Sequence, residues 1–269
     1  MNAPVPDFST GAHAMHAATP PLLTLEGVAH SFGGIDVLRN VSFEVPAGRI
    51  VGLIGPNGSG KTTCFNIISG FLRPKGGRVS LAEREITADT IQQRSRAGLV
   101  RTFQTPQVFE HMTVLENLMV GCYNATSSGV LQAMLRTPKS RAELRAMRAS
   151  AQACCEKFGL ARLQDNLAGS LPAGQRRIVE LARACIGNPR LLLLDEPSSG
   201  LNSDEIETLA AWIARLNEEG ITILLVSHEM GLMTACDTVH VLYFGEIIAT
   251  GALHEVQADP RVREAYMGV

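Results

Sequence analysis

The chain of 269 residues carries 24 Lys and Arg against 26 Asp and Glu, which gives a formal net charge of −2. Its length allows one large core, or a core with a smaller appended domain, and its hydrophobic content of 45% is ordinary for a folded α/β protein. The balanced charge argues against a nucleic-acid-binding protein, which is usually strongly basic. No apolar run reaches the about 18 residues of a membrane-spanning helix, so the sequence predicts no span.

The N-terminal residues 1–21 are rich in Pro, Ala and His and lack the charged and apolar regions of a signal peptide. They are predicted to be a flexible tail. Strands are predicted at Leu22–Val28, Val41–Val45 and Ile50–Ile54, and apolar residues at helical spacing predict a helix over Lys61–Ser69.

A glycine-rich stretch joins the third predicted strand to this helix. It has the pattern G-x-x-x-x-G-K-[ST] and consists of Gly55, Pro56, Asn57, Gly58, Ser59, Gly60, Lys61 and Thr62. Such a loop turns successive N–H groups inward around phosphates, while Lys61 can reach the β- and γ-phosphates and the Thr62 hydroxyl can bind Mg²⁺. A glycine-rich turn without a ligand is the alternative. The flanking strand and helix favour a nucleoside triphosphate site, in which Thr63 is also included.

Strands and helices continue to alternate downstream, after a turn predicted at Pro74–Gly77. The predicted elements are a strand at Arg78–Leu81, helices at Lys139–Phe158 and Gln175–Ile186, a strand at Leu191–Leu194, a helix from Asn202 to Gly220, and strands at Ile221–Val226 and Val239–Phe244. Asn202, with Glu205 three residues later, is typical of a capping box. The pattern predicts an α/β fold with a largely parallel sheet, interrupted at about 105–170 by a mostly helical insertion.

Two carboxylates follow the predicted strand Leu191–Leu194. Because ligands bind at the carboxyl ends of parallel strands, Asp195 is predicted to hold Mg²⁺, and Glu196 to polarise the water that attacks the γ-phosphorus. No Asn-Lys-x-Asp guanine-binding element occurs, which argues against a GTPase. A water-activating Glu also disfavours a kinase, since a kinase must exclude water.

Four further pieces lie in a fixed order around these motifs. They are Gln104 within Arg101–Phe109, the segment Leu171–Gln175, the segment Ser198–Asn202 after the acidic pair, and His228 after the next predicted strand. In this order and spacing, the motifs of residues 22–251 resemble the nucleotide-binding subunit of an ATP-binding-cassette (ABC) transporter. Each piece is short, but the combination is highly specific.

The resemblance implies a P-loop NTPase core with a mostly parallel sheet, an N-terminal antiparallel β subdomain and an inserted helical subdomain, followed by a C-terminal extension at 252–269. It implies that Phe32 stacks on adenine, with a core aromatic at a strand end as the alternative. Gln104 would contact Mg²⁺ or the attacking water, and His228 would hydrogen-bond the γ-phosphate of ATP. Lys61, Gln104, Glu196 and His228 are therefore the catalytic residues that the resemblance implies.

The segment Leu171–Gln175 departs from the family pattern Leu-Ser-Gly-Gly-Gln, because Pro172 replaces Ser and Ala173 replaces the first Gly. In the family this loop begins a helix whose positive end faces the ATP of a second subunit. Pro172 offers neither a hydroxyl nor an N–H, so the remaining donors are the N–H groups of Ala173, Gly174 and Gln175. We interpret the substitution as a subgroup trait and not as inactivation.

Four segments narrow the resemblance: Arg101–Gln104, Leu-Arg-Thr-Pro at 135–138, Leu171–Arg177 and the ending at 259–268. They look like the ATP-binding subunits of branched-chain amino-acid importers. This implies a peripheral protein at the cytoplasmic face of the inner membrane, bound to transmembrane permease subunits and to a second ATP-binding subunit, identical or different. A periplasmic or extracellular binding protein would take part indirectly, and no nucleic acid is expected. Val108, Phe109 and Met112 are the expected permease contacts, with packing inside the insertion as the alternative.

The cargo stays open, because the permease and the binding protein would select it. Branched-chain amino acids, urea, short amides and other small organic acids are all compatible. A soluble ABC ATPase of DNA repair would carry a long coiled coil, for which an insertion at 105–170 leaves no room. A non-catalytic cassette would be expected to lose Lys61, Glu196 or His228, and all three are present.

Overall fold

The structure is a computed structural model that describes residues 20–122 and 138–267. Most of the predicted N-terminal tail lies outside the described residues, as do positions 135–137 of the Leu-Arg-Thr-Pro segment and position 268 of the C-terminal motif. Within the two described ranges, no helix has the length and apolarity needed to cross a membrane.

An antiparallel sheet follows the tail and has the strand order β2-β1-β4-β5. Its strands are β1 (Pro21–Phe32), β2 (Ile35–Pro46), β4 (Gly76–Leu81) and β5 (Arg84–Glu85). β1 extends past its predicted end at Val28, because register shifts on both sides of Val28 let it stay paired with β2 as far as Phe32.

A second sheet has six strands in the order β10-β9-β3-β8-β7-β6. They are β3 (Ile50–Ile54), β6 (Leu99–Arg101), β7 (Leu191–Asp195), β8 (Thr222–Val226), β9 (Thr238–Tyr243) and β10 (Glu246–Gly251). Neighbouring strands from β9 to β6 are parallel, and β10 is antiparallel to β9. β7 and β8 are buried at every position, as expected for a parallel sheet covered on both faces. The carboxyl ends of β3, β7 and β8 therefore meet at one edge.

Helices cover this sheet and build the inserted region. They are α1 (Lys61–Ser69), α2 (Ile91–Arg96), α3 (Val114–Gly121), α4 (Pro138–Lys157), α5 (Ala173–Cys185), α6 (Ser203–Glu218), α7 (Met230–Met233), α8 (Leu253–Ala258) and α9 (Pro260–Met267). Thr90, Thr113 and Asn202 begin α2, α3 and α6, each in a capping box. The box predicted from Asn202 and Glu205 is therefore present. α5 begins before the predicted Gln175, with Pro172 at its N-cap.

The sheet separates two apolar clusters. Leu192 and Leu194 of β7 belong to the cluster under α3–α6, whereas Leu191 and Leu193 belong to the cluster shared with α1 and the antiparallel sheet. This division arises because successive residues of a strand point to opposite faces. The predicted α/β class, with a mostly parallel sheet and a helical insertion, is confirmed.

Candidate nucleotide-binding site

The loop between β3 and α1 needs glycine where it approaches its neighbours. Gly55 and Gly60 have φ values of 154° and 110°. A Cβ on Gly55 would lie 2.1 Å from the Leu242 carbonyl oxygen, and one on Gly60 would lie 2.7 Å from Leu38 Cδ2. Only residues without a side chain therefore allow the loop to pack this closely against β2 and β9.

Lys61, the first residue of α1, turns back over the loop. Its Nζ donates to the carbonyl oxygens of Gly55 and Pro56 at 2.7 and 3.0 Å. Burial lowers the pKa of Lys61, and the carboxylates of Glu196 and Asp195 oppose this shift. The ammonium group thus lies at the phosphate loop and within the field of both acids.

Asp195 ends β7 in a buried ion pair that the sequence did not predict. Its Oδ2 accepts a hydrogen bond from Arg101 Nη2 at 2.7 Å, and the two side chains are only 9% and 6% exposed. Arg101, at the end of β6, also donates to Asn66 Oδ1 and Ser69 Oγ of α1 at 2.8 and 2.9 Å. One guanidinium group therefore connects the edge strand, the helix behind the phosphate loop and the predicted metal-binding carboxylate.

Glu196 lies just beyond the strand end in a left-handed conformation, with φ 45°. Its N–H donates to the Val226 carbonyl oxygen at 2.8 Å, which fixes the backbone against β8. His228 Nδ1 is 2.8 Å from Glu196 Oε2. A non-glycine residue in this conformation is strained, and such strain is concentrated at functional sites. The strain and the two contacts together set the position of the Glu196 carboxylate.

A cavity of about 700 Å³ brings the predicted residues together. Lys61, Gln104, Glu196 and His228 all line it, together with Gly55, Pro56 and Asn57 of the loop. Helices α7, α8 and α9 form another wall, which includes Met230, Met233, Leu253, Val262 and Tyr266. Burial raises the pKa of the Tyr266 hydroxyl; the Gly55 amide opposes this shift and the Glu196 carboxylate adds to it. Tyr266 of α9 therefore lies beside Gly55 and close to Glu196.

The segment around Gln104 is fixed by a buried ion pair on α5. Arg177 Nη1 is 2.6 Å from Glu180 Oε2, and both side chains are 3% exposed or less. Arg177 also donates to the carbonyl oxygens of Phe103 and Gln104 at 2.8 and 2.6 Å. Glu180 Oε1 accepts from the Gln107 N–H at 3.1 Å. The backbone that carries Gln104 is thus bound to α5, which begins within the Leu171–Gln175 segment.

Ala173, Gly174 and Gln175 do not belong to the cavity wall that contains Lys61 and Glu196. They form the first turn of α5, whose N-cap Pro172 makes no side-chain capping bond. The Gly174 N–H instead donates to Glu205 Oε1 of α6 at 3.1 Å. One of the three predicted donors therefore already has a partner within the chain.

The other predicted residues take up different positions. Phe32, at the end of β1, is 47% exposed and makes an edge-on contact with His30. Thr62 is exposed and Thr63 half-buried in the first turn of α1. The hydroxyl, carboxylate and amide oxygens of Thr62, Asp195 and Gln104 are the hard donors that Mg²⁺ prefers.

Sequence reasoning missed four of the side chains that shape this site. Arg101 lies in the segment Arg101–Gln104, but no pattern of neighbouring residues indicates that it pairs with Asp195. Glu205 was identified as a helix cap, but its second contact joins two distant segments. Glu180 is buried although it lies opposite the predicted apolar positions of its helix, so the apolar pattern gave no sign of its role. The position of Tyr266 beside Gly55 depends on the tertiary fold.

Two protein-family models match segments that contain most of the predicted site residues. The model described as "ABC transporter" matches residues 38–199, and the one described as "Branched-chain amino acid ATP-binding cassette transporter" matches residues 246–269. The second match begins with β10 and includes both C-terminal helices. The α9 wall of the cavity therefore lies in a segment that this narrower family shares.

Curated relatives match nearly the whole chain. The high-affinity branched-chain amino acid transport ATP-binding protein LivG of Salmonella typhimurium is 40% identical over 250 residues, covering 92% of this chain and 98% of LivG. BraF of Pseudomonas aeruginosa, which carries the same description, is 37% identical over 250 residues, with coverage of 92% and 98%. The crystal structure of the ADP conformation of MJ1267, an ATP-binding cassette of an ABC transporter, has a TM-score of 0.81 at 34% identity, covering 93% of this chain and all of MJ1267.

Proposed function

Because the chain belongs to the ABC transporter family of ATP-binding proteins, we propose that it hydrolyses ATP to drive the import of branched-chain amino acids through a membrane permease. The observation that carries this proposal is the single cavity where Lys61, Gln104, Glu196 and His228 meet. Hydrolysis of a triphosphate needs a cation for the phosphates, a carboxylate for the water and polar groups at the γ-phosphate. The cavity supplies all three.

The geometry suggests how these residues share the work. Lys61 and the loop N–H groups bind the phosphates, and Mg²⁺ held by Thr62, Asp195 and Gln104 would neutralise part of their charge. Glu196 accepts a hydrogen bond from the attacking water and polarises it. His228 is 72% exposed, so its ring can reach the γ-phosphate while Nδ1 stays on Glu196. His228 therefore aligns both the base and the phosphate.

A second ATP-binding subunit would complete each site. The first turn of α5, with the N–H groups of Ala173, Gly174 and Gln175, does not line the cavity of its own chain. A helix N-terminus is nevertheless well suited to bind a phosphate. We place it against the ATP of the second subunit, so that two ATP molecules lie in the dimer interface and hydrolysis reopens it.

A groove of about 930 Å³ offers a docking place for the permease. Phe103, Phe109, Val120 and Arg183 are among its lining residues. Phe109 is 49% exposed and Met112 37%, so both can contact a cytoplasmic segment of the permease. Val108 packs against the core and is a poorer candidate. Because Phe103 precedes Gln104, docking in this groove would act directly on the catalytic cavity.

The cargo assignment is supported by the described functions of LivG and BraF and by the family model that matches the C-terminal segment. Importers of urea, short amides or other small organic acids are the alternative. We place the protein at the cytoplasmic face of the membrane, where ATP is available. Genes for two permeases, a second cassette and a secreted binding protein beside this one would support the assignment. If that binding protein bound urea but not leucine, the cargo would instead be urea.

The function is tested with Glu196→Gln, which removes the base but keeps the shape of the side chain. We expect ATP hydrolysis to fall by about 100-fold or more, while ATP still binds and traps a dimer that size-exclusion chromatography with light scattering can detect. Glu207→Gln, an exposed change on α6, is the control and should hydrolyse ATP normally. An undiminished rate in Glu196→Gln would contradict the catalytic assignment, and a protein that stays monomeric with ATP would contradict the dimer.

A further inference from the structure

Glu205 connects the start of α5, which the proposed dimer brings to the second subunit, with the Ser198–Asn202 loop. Its Oε1 accepts the Gly174 N–H at 3.1 Å, at the start of α5. Its Oε2 accepts the Asn202 N–H at 3.1 Å, at the end of the Ser198–Asn202 loop. The Glu205 N–H in turn donates to Asn202 Oδ1 at 3.0 Å. A single carboxylate therefore holds both segments in one arrangement.

The carboxylate lies directly against the end of α5. A Cβ on residue 174 would come within 2.3 Å of Glu205 Oε1, so the contact exists because residue 174 is glycine. Pro172, at the N-cap, provides no side-chain acceptor for the first turn. Glu205 takes the place of that missing cap from another helix, and its negative charge is favourable at the positive end of α5.

The same N–H is one of the donors expected to meet the γ-phosphate of the ATP on the second subunit, so the inference rests on the proposed function. One N–H cannot bind a carboxylate and a phosphate oxygen fully at once, and the two anions repel each other. We propose that Glu205 is a positioning residue that occupies the Gly174 N–H in the open form and releases it to the γ-phosphate of the second subunit when the dimer closes. Glu205 thereby opposes closure at low ATP.

If Glu205 opposes closure, removing its charge should let the dimer form at lower ATP concentration. A variant that merely folds less well would not show this gain. Glu205→Gln removes the charge and keeps one of the two oxygen acceptors, so it can serve the Gly174 N–H or the Asn202 N–H but not both. In a Glu196→Gln background, we expect it to lower the ATP concentration for half-maximal dimer by about three- to tenfold. Glu205→Ala, which removes the acceptor and the charge, should shift the midpoint in the same direction. Sedimentation velocity across an ATP titration measures this midpoint for Glu196→Gln alone and for the two variants made in its background.

Glu207→Gln is the matched control, because it makes the same charge change on an exposed position of the same helix. Its midpoint should equal that of Glu196→Gln alone. In the otherwise unaltered chain, Glu205→Gln should lower the KM for ATP without raising kcat, which separates a positioning role from a catalytic one.

An unchanged or higher midpoint for Glu205→Gln, in a background that does dimerise, would overturn the role of Glu205 and leave the proposed function intact. The same holds if Glu207→Gln shifts the midpoint equally, since the effect would then be one of net charge. A Glu196→Gln background that stays monomeric at every ATP concentration would overturn the dimer mechanism and this inference together.

Discussion

At the scale of single residues, buried ion pairs fix the loops around the cavity. Arg101 holds Asp195, and the pair of Arg177 and Glu180 holds the backbone of Gln104. Removing one member of a buried pair leaves an unpaired charge and costs about 3–5 kcal/mol, whereas an exposed pair contributes about 0–1 kcal/mol. The position of the predicted catalytic glutamine thus depends on two charges that do not line the cavity.

We expect Arg177→Met to lower the free energy of unfolding by about 3–5 kcal/mol, because Glu180 would stay buried without its cation. Urea unfolding followed by circular dichroism measures this change. Arg78→Met is the control, since Arg78 and its partner Glu26 are 65% and 56% exposed. It should change the free energy by less than about 1 kcal/mol. Similar losses in the two variants would show that burial of the Arg177 pair does not matter.

The cysteines give a prediction on pH. All six are free thiols, and burial raises the pKa of Cys64, Cys154, Cys185 and Cys236 from 9.0 to about 12. At pH 8 only about one in 10⁴ of such thiols is a thiolate, against about one in ten for an ordinary cysteine. We expect the native protein to react slowly with Ellman's reagent, and all six thiols to react quickly in urea. Fast reaction of four or more thiols in the native protein would contradict this burial.

The same shifts have a consequence for stability. A thiol whose pKa is raised in the folded state contributes its full stability below pH 9, where it is protonated in both states. The contribution is lost as the pH rises from 9 towards 12, because only the unfolded chain then releases the proton readily. The urea concentration at the midpoint of unfolding should therefore fall as the pH is raised from 8 to 11.

Motifs of consecutive residues could name Lys61, Asp195 and Glu196, because their chemistry follows from local spacing. The partner of Asp195 could not be named in this way. Arg101 reaches it only because β6 and β7 become neighbours in the sheet, with Arg101 opposite Leu193. Tyr266 illustrates the same limit, since the far end of the chain returns to Gly55.

At the scale of elements, capping determines where the helices of the site begin. Thr113 caps α3 in a reciprocal box, with Glu116 Oε2 accepting from the Thr113 N–H at 2.8 Å. Asn202 and Glu205 form the same motif at α6 and were recognised from sequence because the motif is local. The start of α5 was predicted less well, since its cap comes from Glu205 across the fold.

We expect Thr113→Ala to lower the free energy of unfolding by about 0.5–2 kcal/mol, because the first turn of α3 loses its side-chain acceptor. Chemical denaturation measures the change. Thr208→Ala is the control within a helix, where Thr208 Oγ1 only bonds back to the Asp204 carbonyl oxygen. That change should be neutral or slightly stabilising, because alanine is the better helix former. A Thr208 loss as large as that at Thr113 would contradict the importance of the cap.

At the scale of the whole molecule, the proposed function divides each ATP site between two chains. The cavity with Lys61 and Glu196 contains the proposed catalytic groups, while the first turn of α5 lies apart from it. A protein built in this way is expected to be active only when two copies, or a copy and a related subunit, face each other.

We expect the ATPase rate per molecule of the isolated protein to rise with protein concentration and the ATP dependence to approach a Hill coefficient of about 2. A coupled phosphate-release assay over a hundredfold range of protein concentration measures both. Mixing in the Lys61→Ala variant, which should bind nucleotide poorly, should reduce the rate more steeply than simple dilution. A rate per molecule that is independent of concentration would mean that one chain completes its own site.

The strand order also determines how late β3 can complete its pairing while the chain is made on the ribosome. Among the strands of residues 20–122 and 138–267, β3, which precedes the glycine-rich loop, pairs only with β8 and β9, both far from it in sequence. At typical elongation rates, roughly 10 to 35 s separate the translation of Ile54 from that of Val226. During that interval the apolar residues of β3 lack their final neighbours, and ATP has no finished loop to bind. Nucleotide can therefore stabilise only the completed chain, while the nascent chain exposes apolar residues that favour aggregation.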